Sequence, residues 1–387
     1  MELAKVKQSI PAESYTESEI KSQPGLWKKL FTNFQQTQSD LKSFLNNSIA
    51  DKNIRIILTG AGSSAFIGDV LLCVFKNRFN NPVDAVATTD LVTHPDLYFN
   101  RENKYLLISF ARSGNSPESS QAIVLADELS QSVAHLIITC SDQSELIQTV
   151  SSRNKFVYLL PSEANDRGLA MTASFTSMLL VGLLISKINS GEMIDSQLNI
   201  LYDYGNKILN DFKNDLQKAA SLYFKRAVFL GSGLLKGIAR ESQLKLQELT
   251  DGKVICKYDS FMGFRHGPKA VIDDDTLIIY LFSNNHYANL YEIDLVNAIS
   301  ESRKNLFTIG IMEKNIDSVK VDLRIVLSQN GKKIQEEFLP VVSVLPAQLL
   351  GLYKSLNLGL NPDSPSASGM IHRVVQGVNI YPYPNGK

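Results

Sequence analysis

The chain has 387 residues, 44% of them apolar and 9% aromatic, enough for two or three domains around a large core. Lys+Arg and Asp+Glu both number 39, so the formal net charge is zero; no basic block is visible, and nucleic acid is not expected as a partner. Cys73, Cys140 and Cys256 are far apart and form no C-x-x-C pair, which argues against a disulfide framework or a Cys-rich metal site and fits the reducing cytoplasm.

The N-terminus, MELAKVKQSIPAESYTE, lacks the apolar stretch of a secretory signal. The first 49 residues read as polar helices with Trp27, Leu30, Phe31, Phe34, Leu41 and Phe44 as apolar contact points. From Asn53 the pattern alternates between apolar strands and helices. Strands are expected at Arg55–Thr59, Val83–Thr88, Tyr105–Phe110, Val133–Cys140 and Lys155–Leu160, with helices near Ala65–Phe79 and Pro117–Leu129. Apolar strands alternating with helices indicate a parallel sheet covered on both faces. The longest greasy run, near Phe175 to Ile188, is too short and too interrupted by Thr, Ser and Gly to span a bilayer, so a buried helix and no membrane partner are expected.

The pattern then recurs. Ala227 to Gly233 repeats the strand and G-x-G of Leu58 to Gly62, at an offset of 171 residues from Gly60 to Gly231. The same offset carries Tyr105–Phe110 onto Thr276–Leu281 and Val133–Cys140 onto Lys304–Ile311. The expected fold is α/β: two tandem, doubly wound parallel sheets of the flavodoxin-like three-layer αβα kind, behind an N-terminal helical segment. The expected limits are 1–49 for that segment, 50–215 for the first half and 216–387 for the second, with a helical connection around Asp195 to Leu222.

One loop points to a ligand. The strand ending at Phe110 gives way to Ala111-Arg112-Ser113-Gly114-Asn115-Ser116, and Pro117-Glu118 opens a helix. A helix N-terminus offers unpaired N–H groups and a favourable dipole, Ser113 and Ser116 add hydroxyl donors, and Arg112 can add a full charge: an anion site for a phosphate. The second half has Phe282-Ser283-Asn284-Asn285-His286-Tyr287 at this place, without the glycine or the hydroxyl spacing, so the phosphate site is assigned to the first half. Ligands in such sheets lie beyond the carboxyl ends of the strands, which brings Gly62-Ser63-Ser64 close to Ser113–Ser116.

The second half carries titratable groups instead. Glu241, Lys245 and Glu248 fall on one face of a helix over Ile238–Leu249. Alone, such a stripe reads as solvated surface. His266, eighteen residues after Glu248 in Phe264-Arg265-His266-Gly267-Pro268-Lys269, sits on a tight turn from which Pro268 can start a helix. A carboxylate and a histidine in one cleft with a phosphate form a plausible acid/base pair. The five histidines show no metal-ligand spacing, and no G-x-G-x-x-G with a distant acid is present, so neither a metal nor a nicotinamide cofactor is expected.

These residues make residues 50 to 385 resemble tandem sugar-isomerase (SIS) proteins such as the isomerase half of glucosamine-6-phosphate synthase. Ala111–Ser116 takes the place of that family's S-x-S-G-x-[ST] loop, with Ala111 for its first serine. Lys245-Leu246-Gln247-Glu248 matches its K-L-K-E, His266-Gly267-Pro268 its H-G-P, and Glu241 its other helix glutamate. The form SFARSGNSPES, with the ending RVVQGVNIYPY, resembles the AgaS-type subfamily, described as galactosamine-6-phosphate deaminases or tagatose-6-phosphate ketose/aldose isomerases. The resemblance implies catalysis by Glu248, His266, Glu241 and Lys245. It implies substrate contacts from Gly62, Ser63, Ser64, Arg112, Ser113, Gly114, Asn115, Ser116, Thr172 and Arg373. It further implies a phosphorylated amino sugar as substrate, no cofactor, and a homodimer or higher homo-oligomer in which His266 serves a neighbouring subunit's site. No glutaminase module precedes the first half, which favours release of ammonia over its capture. The tail Asn361–Arg373 lacks the lysine with which the synthase forms an imine. The leading expectation is conversion of galactosamine 6-phosphate to tagatose 6-phosphate and ammonia; the alternatives are an aldose–ketose isomerase without ammonia release, a deaminase of glucosamine 6-phosphate, and a non-catalytic sugar-phosphate sensor.

Overall fold

The computed structural model describes residues 13–150, 154–302, 306–329 and 331–384. It holds two five-stranded parallel sheets. The first contains β1 (Arg55–Thr59), β2 (Val83–Ala85), β3 (Lys104–Ala111), β4 (Ser132–Thr139) and β5 (Lys155–Leu159), in the order β2-β1-β3-β4-β5. The second contains β6 (Arg226–Gly231), β7 (Ile255–Asp259), β8 (Thr276–Leu281), β9 (Phe307–Met312) and β10 (Leu323–Val326), in the order β7-β6-β8-β9-β10. Both are the flavodoxin-like winding, in which the order reverses beside the first strand of each half and leaves a crevice at the strand carboxyl ends. Helices cover both faces, so β3 and β4 are buried from their second residue onward and read as continuous apolar runs.

The 171-residue repeat is a repeat of structure. The helix Ser63–Arg78 follows β1 and the helix Leu234–Leu249 follows β6, with both ends related by that offset. Each is entered through a glycine in the same left-handed conformation, Gly62 at φ 57° and Gly233 at φ 57°, which a side chain would strain. The two helices pack on each other, closely enough that a Cβ on Gly237 would lie 2.6 Å from a Val70 methyl. Each half thus presents its first helix to the first helix of the other half.

Three details depart from the sequence reading. β7 and β10 carry half-exposed, mixed residues at the sheet edges, so they lack the apolar signature of the inner strands. The N-terminal segment is one 34-residue helix, Tyr15–Ser48, whose Trp27, Leu30, Phe34 and Leu41 are buried. Trp27 Nε1 donates to Thr176 Oγ1 (3.1 Å) on the wholly buried helix Ala173–Ser186. A second apolar stretch, Glu336–Asn357, is longer than that helix, and an 18-residue window of it is 94% buried as core. The connecting helices Asp195–Asp211 and Lys213–Ser221 pack on Tyr15–Ser48 and Leu345–Asn357 respectively, so the link between the halves is part of the packed body. Residues 1–12 of the expected N-terminal segment, and the start of the expected strand Lys304–Ile311, lie outside the described residues.

The N-terminal helix also supports the loop that approaches the site. Glu19 Oε1 accepts the backbone N–H of Arg167 (2.5 Å) and Gly168 (3.4 Å). Burial, reinforced by Asp166, pushes the Glu19 carboxyl up from 4.5 to about 7. The folded state therefore holds this proton more tightly than the unfolded chain does. The resulting cost is absent below pH 4.5, accumulates between pH 4.5 and 7, and is complete above. Glu19→Gln keeps the acceptor and removes the charge. Allowing for solvent screening at this half-buried group, it is expected to stabilise the protein by about 1–2 kcal/mol at pH 8 and by much less at pH 5. Urea unfolding at the two pH values checks this, and an equal gain at both would trace the effect to packing instead.

Candidate active site

The first-half crevice is built by two turns. β1 leads through Gly60-Ala61-Gly62 into the helix Ser63–Arg78. A Cβ on Gly60 would lie 2.6 Å from Ser64 Cβ and 2.9 Å from the Phe110 carbonyl, so only glycine lets these loops meet. β3 leads through Arg112–Ser116 into the helix Pro117–Leu129, with Gly114 at φ 66°. Ser116 occupies the cap position of that helix, yet its hydroxyl makes no capping bond. The hydroxyl thus remains open for a ligand. Both turns face one cavity of about 420 Å³, whose walls include Gly62, Ser63, Ser64, Arg112, Ser113, Gly114, Ser116, Lys245, Glu248 and the tail Met370–Gln376.

A larger cavity, about 720 Å³, opens at the matching crevice of the second half, beside Gly233 and Asn284. The donors of the loop after β8, which corresponds to the Ser113–Ser116 loop, are already used. Glu292 Oε2 accepts the Ser283 N–H (3.0 Å) and the Asn289 amide (2.9 Å). Asn285 Oδ1 accepts the N–H groups of Tyr287 (2.9 Å) and Ala288 (3.3 Å), capping the helix His286–Ser302 from within. A built-in carboxylate and a side-chain cap stand there in place of an anion seat, so chemistry selects the smaller cavity.

The helix Leu234–Leu249 crosses from the second half to reach this cavity. Its stripe is no solvated face, because Glu241 is 0% and Lys245 1% exposed. Lys245 Nζ lies 2.7 Å from Glu248 Oε2, 3.4 Å from Glu241 Oε1 and 3.1 Å from Ser63 Oγ. Burial works against the Lys245 ammonium, but Glu241 and Glu248 outweigh it and hold its pKa above the ordinary range. Burial pushes the Glu241 carboxyl up to about 7, against the pull of Lys245. Glu248 is the partly exposed member and forms part of the cavity wall. The arrangement offers a carboxylate able to exchange a proton and, beside it, a fixed positive charge able to stabilise a developing oxyanion.

Several expected contacts are placed differently. Arg112 lines the cavity, but its guanidinium donates to the carbonyls of Gly168 (3.4 Å), Leu169 (3.0 Å) and Arg373 (2.6 Å), which ties the tail to the loop after β5. Arg373 likewise lines the cavity while its guanidinium donates to the Asp166 carbonyl (2.9 Å) and to Asn165 Oδ1 (2.8 Å). Thr172 is corrected to a structural position: it is fully buried, off the cavity wall, and its hydroxyl donates to Asp166 (2.7 Å). Asp166 also accepts the N–H groups of Ala173 (2.8 Å) and Ser174 (3.0 Å), so it caps the core helix. Asn115 points away and accepts the Glu145 N–H (3.1 Å). His266 is exposed and outside its own chain's cavity, and the helix that starts at Pro268 is a short 3₁₀ turn, Pro268–Val271.

Glu118, Asp166 and the tail wall apart from Arg373 escaped the sequence reading. Their only signals were an acid in a helix first turn and a Pro/Gly-rich ending.

Two halves with one cradle kept open and one closed define a tandem sugar-isomerase architecture, and the chain belongs to the SIS domain family, whose profile matches residues 48–186. Within it, the chain is 41% identical to D-galactosamine-6-phosphate deaminase AgaS of Escherichia coli, over 96% of each chain. It is 36% identical to the AgaS deaminase of Shewanella sp. (strain ANA-3), over 95% of this chain and 92% of that one. The crystal structure of tagatose-6-phosphate ketose/aldose isomerase from Escherichia coli superposes with a TM-score of 0.86 at 38% identity, covering 98% of this chain and 99% of that one.

Proposed function

We propose that this chain is a cytoplasmic enzyme that converts galactosamine 6-phosphate to tagatose 6-phosphate and ammonia. The observation that carries the proposal is the Glu248–Lys245 pair, 2.7 Å apart, on the wall of the cavity that holds the uncapped Ser113–Ser116 loop. Similarity to deaminases at 41% identity over nearly the whole chain supports the substrate. The first half, 50–215, serves as the anchor, and the second, 216–387, brings the chemistry.

In this reading the 6-phosphate docks on Ser64, Ser113, Ser116 and the local N–H groups, and its binding positions the carbons at the other end of the sugar. His266 moves a proton between O5 and O1 to open the ring. Glu248 takes the proton from C2 and returns it at C1, through an enolamine whose O1 charge Lys245 stabilises. The resulting imine at C2 adds water, the C–N bond breaks, and ammonia leaves a ketone at C2. Because His266 is exposed and off its own cavity, it acts in a second subunit. Met262, Tyr287, Leu290 and Tyr291, exposed on the neighbouring packed helices Phe261–Phe264 and His286–Ser302, supply the apolar surface for that contact.

The test is incubation of the purified protein with galactosamine 6-phosphate and, separately, glucosamine 6-phosphate, with ammonia and ketose both measured. Ammonia and ketose in equal amounts from the galacto substrate are expected. Ketose from an aldose phosphate without ammonia would move the assignment to the isomerase, the activity for which the Escherichia coli structural relative is named.

A further inference from the structure

Glu118 is a buried carboxylate that no part of the mechanism uses. It stands in the first turn of the helix Pro117–Leu129, two residues beyond Ser116, and is 6% exposed. It forms part of the active cavity's wall together with Thr89 and Ser119. Its Oε2 is sealed from water and has no hydrogen-bond partner among the described residues. Glu241 and Glu292 also hold buried oxygens without a hydrogen bond, but neither they nor Glu313 line this cavity, and each has a polar neighbour. Glu241 faces Lys245, Glu292 takes the Ser283 N–H, and Glu313 takes the Tyr204 hydroxyl (3.0 Å) and the Asn284 amide (3.0 Å). In Glu118 no hydrogen bond from the described residues reaches Oε1 either, and Oε1 is not sealed, so it is the oxygen that an occupant of the cavity can reach. A largely buried carboxylate without donors is costly, and at a cavity wall the donor can come from the cavity's occupant.

Resting on the sugar-phosphate reading above, we infer that Glu118 accepts a hydrogen bond from the 4-hydroxyl of the substrate and so selects the galacto over the gluco series. The carboxylate repels the phosphate, so the phosphate seats on the Ser113–Ser116 side and the carbons beside C6 face Glu118. The amine on C2 lies four bonds from C6, with the carbons that Glu248 serves, and is not the donor. Of the hydroxyls near C6, the one on C4 differs in direction between the two epimers. A carboxylate fixed for one direction is left without its bond by the other, a form of rejection that binding sites achieve well.

Binding of the unreactive hexitol 6-phosphates of the galacto and gluco series, measured by calorimetry, tests this without any turnover. The parent protein is expected to prefer the galacto compound by about tenfold to a hundredfold, the worth of one hydrogen bond to a charged group. Glu118→Ala is expected to bring the two affinities to within about threefold of each other, on the same scale, with inorganic phosphate binding unchanged. Should the alanine variant lose phosphate binding, the isosteric Glu118→Gln carries the comparison. Equal affinities in the parent, an undiminished preference in both variants, or loss of phosphate binding in both would each overturn the inference. Absence of ammonia release by a protein that shows the Glu118-dependent preference would sink the reaction and leave this assignment standing.

Discussion

Glu248→Gln is expected to lower turnover by about 10²–10⁴-fold, the usual contribution of a positioned proton-transfer group. The change is nearly isosteric and keeps an oxygen for Lys245 Nζ, which lies 2.7 Å from Glu248 Oε2. What disappears is the capacity to carry a proton between two carbons. The proposed phosphate seat lies on the other half's loops, so inhibition by inorganic phosphate should be unaltered. Steady-state kinetics, with the phosphate inhibition constant measured alongside, separates the outcomes. Turnover within a few-fold of the parent's removes Glu248 from the chemistry, and a parallel loss of phosphate binding shows a collapsed cavity.

Lys245→Met should have its largest effect on stability. Its Nζ is the cation paired with Glu241, a residue with 0% exposure, so the substitution strands a buried carboxylate. Breaking a buried ion pair from one side costs about 3–5 kcal/mol. The pH dependence gives the cause away. The Glu241 carboxyl is already raised from 4.5 to about 7 with Lys245 present, and loss of the lysine removes what held it down. The folded variant keeps its proton to still higher pH while the unfolded chain releases it above 4.5, so the deficit is small in acid and grows as pH rises. Chemical unfolding at pH 5 and pH 8 should show this divergence. The double variant Glu241→Gln/Lys245→Met should recover most of the loss at pH 8. A deficit independent of pH and unrelieved by the second change would mean that Lys245 matters for packing alone.

The inner strands were legible because burial on both faces writes itself as unbroken Val/Ile/Leu runs. The edge strands β7 and β10 were not, since Ile255–Asp259 and Leu323–Val326 alternate with polar and charged residues that face water. The duplication was legible because glycines at strand ends are sterically fixed, and the helices they open keep the same 171-residue spacing. The stripe of Glu241, Lys245 and Glu248 gave its helical face but not its burial, which depends on a contact between halves that no local pattern encodes. The arginines misled for a related reason. Arg112 and Arg373 sit where a phosphate would welcome them, yet each spends its donors on carbonyls of loops distant in sequence.

The reciprocal packing of the two first helices bears on how such a cleft can diverge. A pair of identical single-half chains would form two identical clefts, because every substitution enters both at once. A continuous chain lifts that constraint. The 171-residue offset carries Lys245 back onto Val74 and Glu248 onto Asn77 of the helix Ser63–Arg78, which borders the second-half cavity. Val74 and Asn77 cannot exchange a proton with a ligand as a carboxylate–ammonium pair can. In a continuous chain one crevice can specialise in holding and transforming a ligand, while its twin is free to take a structural use.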